Sequence, residues 1–268
     1  MSSIPEATCH PKVTESGVAD LDALIDHLHA AGRVTGDDDQ QVDISELAVS
    51  NRAGLVLEGA VQAVDARSGV EVGCASALST LHICRALKSR GHLSSGALQV
   101  MDPKQTSHWK NIGRRALSAA GLLDRAVVLH EAPAHTVLPR LLKQGTQIQF
   151  AFIDGWHMLD YVMVEAFYCD LMLEVGGVIA LHDLWMPGLQ VFAAAWCANR
   201  RYEPVSLIQG GLSSQACPSD HPIVGDLAKA CPGFVARIAP FVDQSVLLLR
   251  KTGHDHRPWD HYRDFWSA

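Results

Sequence analysis

Four acidic residues each sit at the end of an apolar run: Glu71 in Gly69-Val-Glu-Val-Gly73, Asp102 after Leu98-Gln-Val-Met, Asp154 after Ile148-Gln-Phe-Ala-Phe-Ile, and Asp183 after Val178-Ile-Ala-Leu-His182. A carboxylate in such a place can accept the hydroxyls of a ribose, hold a hard divalent cation, or orient a neighbouring histidine as a base. Two histidines stand close by in sequence, His157 three residues beyond Asp154 and His182 beside Asp183. For any single one of these acids, a polar strand end is the ordinary explanation. Taken together they converge on one place, because open α/β sheets bind ligands at the carboxyl edge of their strands.

The pattern around the acids supplies that sheet. From Gly69 onward short apolar runs alternate with helical periodicity, which implies a parallel sheet covered by helices on both faces. Strands are expected near 69–73, 98–102, 126–130, 148–154 and 178–183, with two more at 204–208 and 245–249. Helices are expected at about 77–90, 107–120, 134–143, 159–173 and 188–199 between them. The fold class is therefore α/β, a doubly wound Rossmann-like sheet. Its first strand turns through Gly73 and small residues into a helix, an arrangement that turns backbone N–H groups toward a ligand. The spacing Glu71-x-Gly73-x-x-x-Ala77 is not the three-glycine dinucleotide fingerprint. Ahead of the sheet, helical patterns at 18–31 and 44–66 flank the polar run Gly36-Asp-Asp-Asp-Gln-Gln41, which reads as a solvated loop. No strand is expected there, so residues 1–65 read as a leader and helical cap that covers a pocket or supports a homo-oligomer. Residues 66–252 form the core and 253–268 a tail. Glycines and prolines without periodicity make 209–240 a candidate lid.

Composition narrows the partners. The chain has 268 residues, 48% of them hydrophobic, and a net charge of −7 without a basic stripe, which argues against nucleic acid. No apolar run approaches the ~18 residues of a membrane span. The seven cysteines are scattered, odd in number and free of any C-x-x-C pair, which fits reduced thiols in a cytoplasmic protein. No secretory leader is evident at the N-terminus.

Read in order, Val-Glu-Val-Gly-x-x-x-x-x-Ser-Thr, Met-Asp-Pro, Phe-Ile-Asp-Gly-x-His and Gly-Gly-Val-Ile-Ala-Leu-His-Asp resemble the class I S-adenosylmethionine (SAM)-dependent methyltransferases. The likeness is to the small group with a Phe-Ile-Asp-Gly-x-His motif, relatives of catechol O-methyltransferase-like enzymes, and covers about residues 65–252. Ala77 departs from the family's usual final glycine. The resemblance implies a seven-stranded sheet whose last strand inserts antiparallel, SAM as methyl donor and a small-molecule acceptor. It implies donor contacts from Glu71, Gly73, Ala75, Ser79, Asp102, Glu131 and Asp154, with Glu71 and Gly73 toward the methionine part and Asp102 at the ribose. The segment Glu131-Ala-Pro-Ala134 would lie near adenine, where its alanines replace the polar residue often found in the family.

SAM brings an activated methyl group, so the chain's tasks are alignment and control of the acceptor's proton. His157 is the first choice as base, with Asp154 and His182 beside it. The other reading places a divalent metal such as Mg²⁺ on Asp154 and Asp183, lowering the pKa of an acceptor hydroxyl. Oxygen is the favoured acceptor atom and nitrogen the second. A hydroxylase-like or antibiotic-tailoring relative on the same fold, and a SAM- or nucleotide-binding module without turnover, are the alternatives. Met158, Met163 and Met172 read as packing residues of a buried helix. His82, His92 and His108 have no partner suggested by spacing. Trp259, His261 and Trp266 either close over a pocket or pack the tail against the sheet.

Overall fold

The computed structural model describes residues 20–45, 48–216 and 231–267. An eight-stranded sheet runs in the order β5-β4-β3-β6-β7-β10-β8-β9. Its strands are β3 (Gly69–Val72), β4 (Leu98–Met101), β5 (Val127–His130), β6 (Ile148–Ile153), β7 (Leu173–Leu181), β8 (Tyr202–Ile208), β9 (Gly211–Ser213) and β10 (Leu247–Lys251). The first five pair in parallel, and β10 enters antiparallel between β7 and β8. Those seven strands are the expected set. The eighth, β9, is a hairpin extension of β8 in what read as irregular sequence; a strand of three residues is too short to show a period.

Alternation along each strand builds two cores. Leu98, Val100, Phe150, Phe152, Val178, Ala180 and Leu248 face one side, where α1 (Leu21–Ala31), α2 (Asn51–Ala63), α3 (Leu78–Ser89) and α4 (Ile112–Ala119) cover them. Val70, Val72, Ala151, Ile153, Ile179, Leu181, Leu247 and Leu249 face the other, under α5 (Ala134–Lys143), α6 (Leu159–Met172) and α7 (Pro187–Asn199). Strands buried on both faces read as continuous apolar runs, which is why they are visible in the sequence. Glu71 lies between Val70 and Val72 and so belongs to the first side, beneath α3.

Several details differ from the sequence reading. Residues Arg33–Thr35 (β1) and Gln41–Asp43 (β2) form a two-stranded hairpin where no strand was expected. Its acidic turn is not simply solvated: Asp38 pairs with Lys110 Nζ at 2.8 Å, and Asn111 Nδ2 donates to Asp37 at 2.7 Å. The second N-terminal helix begins only at Asn51, capped by the Ser50 hydroxyl, rather than near Ile44. Helix α4 begins only at Ile112, because residues 103–111 are spent in turns that border the site. Met172 is fully buried, whereas Met158 and Met163 are exposed together with Phe167 and Leu171, since α6 is apolar on nearly every side. The candidate lid contains β9 and a short helix, Pro232–Arg237; residues 217–230 of it lie outside the described residues. Among the described residues no helix is long and apolar enough to cross a membrane.

Where α6 ends, a buried ionic cluster locks the antiparallel edge. Lys251 Nζ donates to the carbonyls of Asp170 (2.6 Å) and Leu173 (2.8 Å) and lies 3.1 Å from the Asp170 carboxylate. Arg200 and the Tyr202 hydroxyl donate to the same carboxylate at 2.6 and 2.8 Å. A cation at the helix's C-terminus is also favoured by its dipole. Replacing Asp170 by alanine strands Lys251 in the interior. Asp170→Ala should cost about 3–5 kcal/mol in urea unfolding, the penalty for a buried charge without its partner.

Candidate active site

The site begins at a crossing of two strands. Gly73, at φ +93°, follows β3, and a Cβ there would lie 2.1 Å from the carbonyl oxygen of Asp154. No side chain fits, so glycine is obligatory. The turn after it is held by Asp102. Its Oδ2 accepts from the N–H groups of Cys74 (3.3 Å) and Ala75 (2.9 Å) and from Gln105 Nε2 (2.8 Å). Oδ1 accepts from Lys104 N–H at 2.8 Å, which leaves it a lone pair for a ligand hydroxyl. Gln105 also donates to the Ala75 carbonyl at 2.9 Å. Gly113 packs so near that a Cβ there would stand 2.4 Å from the same carbonyl oxygen. Gln105 and Gly113 were missed from sequence; the only signal was the three-residue step from Asp102.

A cavity of about 540 Å³ opens beside this turn, within the range of small-molecule and cofactor sites. Gly73, Ala75, Asp102 and Asp154 line it, together with Met101, Ala134, Trp156 and Glu165. Other expected donor contacts lie elsewhere. Glu71 is wholly buried and bound by the Ser79 hydroxyl, and neither borders the cavity. The alternation of β3 explains this, since it turns Glu71 under α3 and leaves Val72 to face the other side. Glu131 is exposed, accepts from Thr106 N–H at 2.8 Å and is not among the residues lining the cavity.

Asp154 joins the cavity to a cluster of four ionisable side chains. His157 Nε2 lies 3.1 Å from Asp154 Oδ1 and 3.3 Å from Asp183 Oδ2. His182 Nδ1 lies 3.2 Å from Asp154 Oδ1 and 3.4 Å from Asp183 Oδ1. Burial would push Asp154 up, but hydrogen bonds from His157 and His182 outweigh it and hold the carboxyl well below the usual range. Both imidazoles lose stability as cations through burial and regain more from the Asp154 hydrogen bond and the two carboxylates, so both are raised. His157 and Asp183 adopt φ +57° and +55°, a left-handed conformation that is costly for residues with a Cβ and concentrates at functional sites. Asp154, His182 and Asp183 each offer a ligand atom, all within 4.8 Å of one another. The structure places these four residues side by side at one sheet edge, with Asp154 as a hub that the sequence gave no sign of.

Residues 70–184, which hold the Gly73 turn, the cavity and the whole cluster, match a family described as a methyltransferase domain. The chain also shares its fold with solved structures. One is the O-methyltransferase from Bacillus cereus in complex with S-adenosylhomocysteine (SAH), at 20% identity and TM-score 0.50, covering 72% of this chain and 86% of that one. Another is the O-methyltransferase TomG from Streptomyces achromogenes, involved in tomaymycin synthesis and solved with SAM, at 16% identity and TM-score 0.55, covering 92% and 94%. A third is the SAH-bound methyltransferase PaMTH1 of Podospora anserina, at 16% identity and TM-score 0.54, covering 86% and 87%.

Outside the cavity, Glu71 carries a testable consequence. Burial pushes its carboxyl up to about 8, beyond what the hydrogen bonds of Ser79 and Thr80 bring down, and Asp154 and Asp102 add to the rise. The folded protein therefore keeps a proton on Glu71 that the unfolded chain releases near pH 4.5. Stability from this group is present at low pH and falls as pH rises from the unfolded value to about 8. Urea unfolding of the ligand-free protein should show that decline, and Glu71→Gln should flatten it. Identical slopes in both proteins would show that Glu71 is ionised in the fold.

Proposed function

We propose that the protein transfers the methyl group of SAM to an oxygen of a small molecule, with His157 as the base. One observation carries this reading: Asp154 lines the cavity and is also the centre of the histidine cluster, so a donor in the cavity lies against the acid that orients both imidazoles. The Gly73–Ala75 turn and the remaining lone pair of Asp102 suit the donor's polar parts.

When His157 donates from Nε2 to Asp154, its lone pair sits on Nδ1, as in other carboxylate-oriented imidazole bases. An acceptor hydroxyl gives its proton to Nδ1 while its oxygen bonds to the methyl carbon. The carbon–sulfur bond breaks, its electron pair stays on sulfur, and SAH leaves uncharged at that atom. Asp154 and Asp183 stabilise the imidazolium formed. The low-dielectric surroundings strengthen that pairing.

The same residues fit a divalent ion. Two carboxylates and an imidazole suit a borderline cation such as Mn²⁺ or Zn²⁺ better than Mg²⁺, which prefers oxygen alone. Asp154, His182 and Asp183 would hold it, and when bound it would supply Lewis acidity to the acceptor hydroxyl. His157 keeps its place as base in either case.

The test is SAH formation from SAM with panels of phenolic, aliphatic-hydroxyl and amine acceptors. Turnover should appear with hydroxyl acceptors and persist after exhaustive chelation. His157→Ala should lower kcat by about 10²–10⁴-fold while SAH affinity stays within about threefold. Turnover lost in chelator and restored by Mn²⁺ in the native protein, but not in Asp183→Asn, would assign the activation to the ion. Turnover confined to amines would reject the oxygen acceptor.

A further inference from the structure

The cavity holds one polar group that neither the turn nor the histidine cluster uses. Glu165 projects from the middle of α6, is 2% exposed, and its Oε2 has no hydrogen-bond partner among the described residues. It lines the cavity, and its Oε1 lies 3.5 Å from where a Cβ on Gly155 would be, so glycine leaves the approach open. Leaving a buried carboxyl oxygen unmatched costs about 1–3 kcal/mol, and an apolar residue there would avoid the cost. A ligand with complementary polar atoms would recover it.

The cavity's composition says which part of a ligand that is. Met101, Ala134, Val72 and Trp156 give it apolar and aromatic walls, the surroundings of a flat heterocycle. The remaining polar side chains on the lining are already committed or lie at the rim. Asp102 fixes the turn and Asp154 the histidines. Lys104, Ser107 and His108 are exposed. After β5 the Glu131 carboxylate is taken up by Thr106 N–H, and Ala132-Pro133-Ala134 beyond it has no side-chain hydrogen-bonding group.

We propose that Glu165 reads the adenine base of the donor, its carboxyl pairing with the exocyclic amino group and the adjacent ring nitrogen. This rests on the reading of the cavity as a SAM site. Adenine presents a donor beside an acceptor, and a carboxylic acid presents an acceptor beside a donor, the same two-point match that amide side chains make. Oε1 accepts from the amino group and the Oε2 hydroxyl donates to the ring nitrogen. Burial, opposed by the charge of His157, pushes Glu165 up to about 7, so the acid form is present at neutral pH.

Calorimetry with SAH and with its analogue in which unsubstituted purine replaces adenine tests the assignment. Purine keeps the ring nitrogen but has no amino group, so one of the two hydrogen bonds is lost whichever carboxyl oxygen carries the proton. The native protein should bind SAH and lose about tenfold or more with the purine analogue. E165Q keeps an acceptor beside a donor and should hold SAH within about threefold of native. E165L should lose about tenfold or more for SAH and bind both ligands alike, with a ligand-free melting temperature no lower than native because it removes an unpaired polar atom. Native binding of SAH together with unchanged affinity and discrimination in E165L would overturn the role of Glu165 alone. A tenfold loss in E165Q would overturn the two-point pairing, whatever E165L does. If the native protein binds no SAH, the donor reading itself fails, an outcome separate from both variants.

Discussion

The approach of Gly73 to the Asp154 carbonyl is the constraint on which the site depends. Neighbouring parallel strands diverge by their twist, and the backbone after them is ordinarily free to wander. Here β3 leaves the sheet directly against the end of β6, with 2.1 Å between the carbonyl oxygen and the place where a Cβ would stand. Gly73 N–H donates to Met101 O at 2.9 Å and Asp154 N–H to Val72 O at 2.8 Å, so β3, β4 and β6 end in one continuous ladder. The turn that lines the cavity and the acid that anchors the histidines are thereby fixed in a single rigid unit. A larger residue at position 73 would separate the two halves of the site even if both halves folded.

The buried acids around that unit divide by how well they are matched. Asp102 accepts four hydrogen bonds and acts as the brace of the turn, with capacity for one ligand hydroxyl. Asp170 is matched by Lys251, Arg200 and Tyr202 and closes the far edge. Glu71 and Glu165 each have one orphaned oxygen and share a raised carboxyl. Their positions separate them. Glu71 lies under α3 behind the sheet, where protonation is its remedy, whereas Glu165 borders the cavity, where a ligand can supply the missing partner. A second buried network, Glu58 with His82 and Arg85, ties α2 to α3; Gly54 makes room for it, since a Cβ there would lie 2.3 Å from the His82 ring.

What the sequence revealed and what it hid follow from the range of each interaction. Strands buried on both faces announce themselves as apolar runs, so the parallel order around β3, β4, β6 and β7 and the acids at their ends were legible. The fate of each acid was not. Glu71 and Asp102 look equivalent as strand-end carboxylates, and only strand alternation and the turn's N–H groups distinguish a buried protonated acid from a brace. His82 showed no partner because Glu58 and His29 lie 24 and 53 residues away along the chain. The hairpin of β1 and β2 is invisible to periodicity because three-residue strands have none, yet its acidic turn steadies residues 110–111 beside the cavity. Glu165 read as one polar residue in an apolar helix. Nothing in its neighbours along the chain signals that α6 turns it inward.

The strained backbone at the cluster adds a last step. His157 and Asp183 both hold a left-handed conformation, each worth about 1 kcal/mol or more against folding. They come from different loops, one after β6 and one after β7, and meet across Asp154. Such strain persists only where the surrounding structure fixes it, and here parallel pairing of β6 with β7 fixes the two loop origins one strand apart. The same pairing brings two carboxylates together, an arrangement that repels unless cations lie between them. The imidazoles of His157 and His182 lie between them, each within hydrogen-bonding reach of Asp154, so a protonated His182 relieves the repulsion while neutral His157 keeps its Nδ1 lone pair. A base already oriented and already paired needs little rearrangement at the moment of transfer, which is the form in which a rigid sheet edge contributes to rate.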